Sequence, residues 1–424
     1  MISLLVLTVS AVAIVWGRRL CGRWFNPVTA YTAPWGAALA LGPVGLIHYH
    51  AIVPAAWGFM GLAFAQFLVG SAVGATMNRP MHEVAAPPPL KRLRIAVLIL
   101  CAAAAAALLL QWLAIFRNGG SLLTALVRSI GERYAARARG TLGGEIPYLG
   151  TFALAACPLA GVLAARAGRF SLVSLLPLVV TALQSITSAG RLIAMLGLAF
   201  FGAGFLATPS FLRQRIRVSR TGLVIGLVVG VGLAGGSFAL ISATRGLQVD
   251  FPGTDPRMHA LSRWVPVAPS LYANVATPPV AYSEFLKAGA PSQGFAAYTF
   301  APAWRLLRRF KIGGGVPALE ENYYTPVPSN VATYLKNVQS DFGPAGVALF
   351  PFLLGALATA LAVKVANTGR LSTTAIYAAI LTVVVLSFNY NIMVAGDWAL
   401  ALAVSWLAAL LVERPAQESD VADA

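Results

Sequence analysis

Acids, histidines and cysteines are scarce in this chain. Its 424 residues include 14 Asp and Glu, four His and three Cys. Cys21, Cys101 and Cys157 provide neither a disulfide framework nor metal-ligand spacing, and Cys101 and Cys157 fall in apolar runs where packing is the expected role. No Asp-x-Asp pair occurs. Asp250 and Asp255 stand apart in a loop and Glu320 and Glu321 are adjacent, so no divalent-metal centre is expected. The chain also lacks a Walker loop, a Gly-rich dinucleotide turn and a nucleophile elbow, which argues against an ATP-driven pump and against a bound cofactor.

What the chain has in quantity is apolar surface. Hydrophobic residues make up 58% and charged residues 11%, with a mean hydropathy of +0.75. Apolar runs of about 16–24 residues recur, the length a membrane-crossing helix needs. They are too long and continuous for barrel strands, and backbone polar groups in lipid must be satisfied within the segment, so the expected fold is an all-α integral membrane protein. The first run, Ile2–Trp16, has no basic leader and no small-residue cleavage site, and reads as a retained helix.

The runs predict about eleven spans, near 2–17, 31–48, 52–76, 95–115, 148–165, 170–188, 191–208, 221–243, 342–363, 373–389 and 393–412. This divides the chain into spans one to eight over 1–243, a large loop over 244–341, spans nine to eleven over 342–413, and a tail over 414–424. Alternate short loops carry the basic residues: Arg18, Arg19 and Arg23; Arg79, Lys91, Arg92 and Arg94; Arg166 and Arg169; Arg213, Arg215, Arg217 and Arg220; Lys364 and Arg370. The positive-inside rule puts these loops in the cytoplasm, the N-terminus outside and the tail inside. The net charge of +17 then points to the bilayer and to phosphorylated lipids as partners, not to nucleic acid.

Two outward loops stand out, 116–147 and Thr244–Gln339. Ser121–Ala138 in the first has amphipathic helical spacing, with Arg133 and Arg137 one turn apart. The second holds half of the chain's tyrosines. Within it Trp304–Lys311 reads as an interfacial helix, and Ser329 as the N-cap of a helix running from Asn330 to about Gln339.

Candidate site residues follow from the charges. Arg133, Arg137, Arg191 and Arg245 lie on the outward loops or helix ends, where guanidinium forks suit diphosphate oxygens. Arg191 adjoins the small-residue turn Thr187–Gly190 close to membrane depth, where a charge is costly unless it is paired or faces a polar cavity. Asp341 begins span nine, either as a first-turn acid or facing the same cavity. His48 and His50, at the end of span two, point apart on a helix and do not share a metal. His259, in the long loop, is a candidate base or a solvated surface residue.

Four stretches resemble the oligosaccharide repeat-unit polymerases, the O-antigen and exopolysaccharide polymerase type. They are Phe25-Asn26-Pro27 before span two, SITSAGR at Ser185–Arg191, YTFAPAWRLLRRF at Tyr298–Phe310, and the run from Glu321 to Gly355, the most specific. Arg133 to Gly144 also fits an Arg-x10-Gly pattern found in some of these polymerases. The resemblance implies a C-type membrane glycosyltransferase in the bacterial inner membrane. Such an enzyme moves a glycan from undecaprenyl diphosphate to the non-reducing end of another lipid-linked repeat unit on the periplasmic face. No metal is then expected, the arginines would hold the diphosphate, Asp341, Glu321 and His259 are the candidate bases, and a chain-length regulator is a candidate protein partner. A lipid-linked polysaccharide ligase would share these features, and a lipid or polysaccharide transporter is the alternative from another class. The topology has a direct check. Single cysteines introduced as Ser262→Cys and Ser219→Cys should label from opposite sides of the membrane with an impermeant maleimide, and labelling from one side defeats the assignment.

Overall fold

The computed structural model describes residues 1–77, 87–116, 132, 148–188, 190–212, isolated positions between 224 and 239, and 252–292, 294–308, 310–311, 323–326 and 328–414. In chain order the helices are α1 (Ile2–Cys21), α2 (Pro27–Leu41), α3 (Pro54–Thr76), α4 (Leu90–Phe116), α5 (Thr151–Ala167), α6 (Leu172–Thr187), α7 (Leu192–Leu212), α8 (Pro256–Trp264), α9 (Ala268–Lys287), α10 (Ala301–Arg308), α11 (Tyr334–Thr368), α12 (Leu371–Leu386) and α13 (Gly396–Glu413). A two-residue antiparallel ladder, β1 (Tyr323–Tyr324) on β2 (Pro328–Ser329), interrupts them.

Among the described residues, five helices are long and apolar enough to cross a membrane: α1, α3, α4, α11 and α13. α5, α6, α7 and α12 are shorter apolar helices. The chain is a helical membrane protein. The expected second span is displaced: α2 starts at Pro27 and ends at Leu41, because Asn26 caps it by accepting from the Thr29 amide at 3.0 Å and the run Gly42–Val44 turns into a 3-10 helix. His48 and His50 therefore lie on an extended segment past the helix, not on its last turn. The expected eighth span, 221–243, falls almost wholly outside the described residues.

The chain forms two compact units, each drawn from three segments. One comprises Met1–Arg79, Ser242–Val363 and Ile380–Ala399, and the other Pro80–Ile241, Lys364–Ala379 and Leu400–Ala424.

In the first unit α3 and α11 pack backbone against backbone. A Cβ added at Gly70 would lie 2.0 Å from the Phe352 carbonyl oxygen, one at Gly74 2.3 Å from that of Ala356, and one at Gly355 2.3 Å from that of Phe67. Lipid tails are as apolar as leucine, so helices in a membrane associate through close packing, and small residues spaced four apart allow it. α2 seats on the same core. Tyr31 stacks on Phe67 with ring centroids 3.9 Å apart, and Trp35 Nε1 donates to Ser387 Oγ at 2.9 Å.

The long loop folds onto this unit. Ile47 bridges Thr254, the His48 amide donates to the Gly253 carbonyl at 2.8 Å, and the His50 amide donates to that of Thr325 at 3.1 Å. Tyr272 donates to the Leu41 carbonyl at 2.6 Å and Asn389 Nδ2 to that of Asn274 at 2.8 Å, fixing α9 at both faces.

The second unit is built on α5, which is buried over 153–165. Gly161 meets the Phe201 carbonyl and Gly204 that of Pro158, each at 2.2 Å from an added Cβ, so α5 and α7 use the same glycine contact. Trp112 on α4 donates to Thr187 Oγ1 at 2.8 Å, tying α4 to the end of α6.

The glycine contacts generate a prediction. Gly355→Leu should force α3 and α11 apart and cost at least the ~1–3 kcal/mol typical of overpacking, read as a lower thermal midpoint in detergent. Gly58→Leu, where an added Cβ meets nothing, should leave the midpoint unchanged. Equal midpoints for the two variants would contradict this packing.

Candidate functional site: a buried polar segment ahead of a membrane span

α11 holds two helices. Gly343, with φ 64 and ψ −162, breaks it, and only glycine enters that region without strain. The piece before the break, 334–342, belongs to the long loop's fold, and the piece after it is the apolar span. The first piece has Leu335, Val338 and Phe342 on one face and polar residues over the rest, and the polar residues are buried all the same: Lys336 is 3% exposed, Asn337 1%, Gln339 7%, Ser340 2% and Asp341 5%. Burying so many polar groups is expensive unless each finds a partner.

The partners come from several surrounding segments. The Tyr334 ring hydroxyl lies 3.2 Å from that of Tyr31 on α2, and its amide donates to the Ser387 carbonyl at 3.0 Å. Tyr282 on α9 donates to Gln339 Oε1 at 2.5 Å. Ser292 Oγ donates to the Ser340 carbonyl at 3.1 Å. The Lys336 ammonium sits over two tyrosine rings, 5.0 Å from the Tyr323 centroid and 5.8 Å from that of Tyr298. Desolvated cation–π contacts of this kind are worth about 2 kcal/mol.

Asp341 is the clearest case of a side chain doing a specific job. Its Oδ1 accepts from the Tyr298 amide at 2.9 Å and its Oδ2 from the Thr299 amide at 2.6 Å. The carboxylate thereby shapes the turn that leads into α10. This corrects the expectation that Asp341 opens a span as a first-turn acid. It lies at the C-terminal end of the short helix, because the chain stays helical from Tyr334 and breaks only at Gly343. The helix expected from Asn330 likewise begins later. Ser329 sits in β2, and its hydroxyl accepts from the Val331 amide at 3.2 Å, a local turn and not a helix cap. α10 starts at Ala301, ahead of the expected Trp304, and the Trp304 indole donates to the Ala296 carbonyl at 3.1 Å.

His259 lies half-buried on α8. Its neighbour Met258 packs with Ile47 and Tyr272, a different set of contacts from those of Asp341. Asp255 caps α8 and takes Arg257 Nε at 2.9 Å; that hydrogen bond holds its carboxyl below the usual carboxylate range. His48 reaches Asp255 at 3.9 Å and His50 reaches Glu284 at 3.2 Å, so the two histidines meet separate acids.

Arg191 belongs to the second unit and stands half-buried just before α7. Ser185 organises the turn beside it: its hydroxyl accepts from the Ala194 amide at 2.7 Å and its carbonyl from the Gly190 amide at 3.0 Å. Arg133, Arg137, Arg245 and Glu321, with the helix expected over Ser121–Ala138, lie outside the described residues. Among the described residues, no group of three or more His, Cys, Asp or Glu is placed to hold a metal ion.

Lys336, Tyr298 and Asn337 are not among the candidate site residues expected from the sequence. A signal was present in the run YLKNVQSD, whose polar residues Lys336, Asn337, Gln339, Ser340 and Asp341 take up more than half of a helix's circumference immediately before an apolar span. The fold and site define a helical membrane protein whose long loop buries a lysine and a carboxylate among tyrosines. In comparisons with known proteins, no family model, no curated protein and no solved structure matches the chain.

Removing the Asp341 carboxylate should expose its structural role. Asp341→Ala leaves two buried amides without acceptors, at about 1–3 kcal/mol each, so unfolding in detergent should move down by several kcal/mol. Asp341→Asn retains one acceptor and should lose about half as much. A stable Asp341→Ala protein would show that the turn does not depend on this carboxylate.

Proposed function

We propose that this chain is a membrane glycosyltransferase that polymerises lipid-linked oligosaccharide repeat units. It would transfer the glycan from undecaprenyl diphosphate to the non-reducing end of a second lipid-linked unit. The reading places it in the bacterial inner membrane with about eleven spans and the long loop on the periplasmic face. The observation that carries it is the buried polar helix 334–342, folded under the long loop and running straight into a span. It falls within Glu321–Gly355, the stretch that most specifically resembles the polymerase family.

The chemistry asks for two things. A lipid diphosphate leaves with growing negative charge, and preorganised cations stabilise it as the bond breaks. Arg191, Arg133, Arg137 and Arg245 are the residues assigned to that role, with bidentate guanidinium contacts doing what a metal does elsewhere. The acceptor hydroxyl needs a base, and Asp341, Glu321 and His259 remain the candidates. Asp341 still has a lone pair free on each oxygen beyond the two amides it accepts, so the turn it organises and a base role are compatible.

Two measurements test the reading. In a strain lacking the gene, loss of polymer with single repeats still reaching the outside supports a polymerase. Unattached full-length polymer indicates a ligase instead, and accumulation inside indicates a transporter. For the site itself, Arg191→Ala should lower polymer formation by at least ~100-fold, the scale of a lost transition-state donor, in protein that inserts and purifies normally. Arg191→Lys keeps the charge without the fork and should rescue only in part. Near-normal polymer from Arg191→Ala removes Arg191 from the site.

A further inference from the structure

α2 holds α1 and α3 apart. On α1, Ser3, Ser10 and Gly17 recur every seven residues and face α2. Ser3 Oγ donates to the Ala40 carbonyl at 3.0 Å. A Cβ added at Gly36 would run into Ser10 Oγ, and one at Gly17 into Val28. From α2, Tyr31 reaches α3, its ring stacked on Phe67 and 6.2 Å from that of Phe64. α1 is thus pinned along its length and cannot slide toward α3 without losing those contacts.

Between α1 and α3 this leaves a groove of about 540 Å³. Thr8, Val12 and Trp16 line one wall, and Phe64, Leu68 and Ala72 the other. The Thr8 hydroxyl donates to the Leu4 carbonyl at 2.8 Å, so the lining is apolar apart from the Trp16 indole. Val12, Trp16 and Arg19 stand at i, i+4 and i+7, on one face of the helix. Arg19 is exposed, and Arg18 beside it is held with its guanidinium 4.2 Å from the Trp24 ring centroid. The groove therefore has apolar walls and a basic mouth at one end.

Length, volume and charge select the occupant. At 1.5 Å per residue, Arg19 to Thr8 is about 16 Å, close to half of a hydrocarbon core of about 30 Å. A lipid with its phosphate at Arg19 would lay one acyl chain along the groove and end near the bilayer's midplane, whereas a long polyisoprenoid would overrun it. Over the roughly 12 Å from Thr8 to Trp16, a helix about 10 Å across fills roughly 900 Å³, more than the groove's volume of about 540 Å³. Guanidinium groups pair with phosphate oxygens, and an indole at headgroup level suits the ester region.

We propose that the α1–α3 groove is a binding site for an anionic diacyl phospholipid. One acyl chain lies between the helices, Trp16 sits at the level of the esters, and Arg19 holds the headgroup phosphate. The lipid fills the gap that α2 creates and packs α1 against α3 through its chain. The site serves no step of the proposed glycan transfer and stands without it.

The test is native mass spectrometry of the full-length chain, delipidated in detergent and titrated with phosphatidylglycerol or with phosphatidylcholine of the same acyl chains. Phosphatidylglycerol should bind about tenfold more tightly, the scale of a guanidinium acting on an anionic headgroup. Arg19→Gln changes an exposed side chain, should fold normally, and should bring the two lipids within about threefold of each other. Ala72→Phe fills the groove and should weaken phosphatidylglycerol by about tenfold or more. Val73→Phe, the same enlargement at an exposed position outside the lining, should leave binding unchanged. The proposal is overturned if phosphatidylglycerol has no advantage, if Arg19→Gln keeps that advantage whole, or if folded Ala72→Phe binds like the unaltered chain. Undecaprenyl phosphate displacing phosphatidylglycerol at equal concentration overturns the choice of occupant. So does a dimer that Ala72→Phe splits while lipid binding stays intact.

Discussion

Everything in the first unit depends on keeping one polar helix buried. The piece 334–342 carries a lysine, an aspartate and three neutral polar side chains into the interior, and surrounding residues hold Tyr334, Gln339, Ser340 and Asp341 there by hydrogen bonds. Tyr31 and Ser387 hold its start, Tyr282 and Ser292 its middle, and the amides of Tyr298 and Thr299 its last carboxylate. Remove those bonds and the segment would belong in water, with the turn into α10 losing what shapes it. Low-dielectric surroundings make such networks strong when complete and costly when broken.

The break at Gly343 is the second half of the same design. A continuous helix would carry Asp341 up the span. The positive φ at Gly343 ends the polar piece and restarts the chain at Pro344, which suits a helix's first turn because it has no amide to leave unpaired. The following apolar piece then meets α3 through glycines, and close van der Waals contact replaces the hydrophobic drive that lipid does not supply. One half of α11 is thus held by hydrogen bonds and the other by packing, with a single glycine dividing the two regimes.

A membrane protein that spends stability on a buried lysine and a carboxylate does so at a position where recognition or chemistry is needed. That logic bears on the proposed glycan transfer. The arginines assigned to the diphosphate would supply charge for the leaving group, and charge that strengthens in the transition state raises turnover.

Sequence alone determined that the chain is a helical membrane protein, because apolar runs longer than a bilayer's core leave no other solution for the backbone. It also placed α3, α4, α5, α6, α7, α12 and α13 within a few residues, since hydropathy tracks those limits directly. It singled out Asp341 and Arg191, as lone charges beside apolar runs do. Only the tertiary structure decided what Asp341 touches, that His48 and His50 meet separate acids, and that Lys336 is buried at all. The burial of the lysine depends on Tyr298 and Tyr323, and that of Tyr334 on Tyr31, far away in the chain. No local pattern of periodicity or charge encodes a contact between residues about three hundred positions apart.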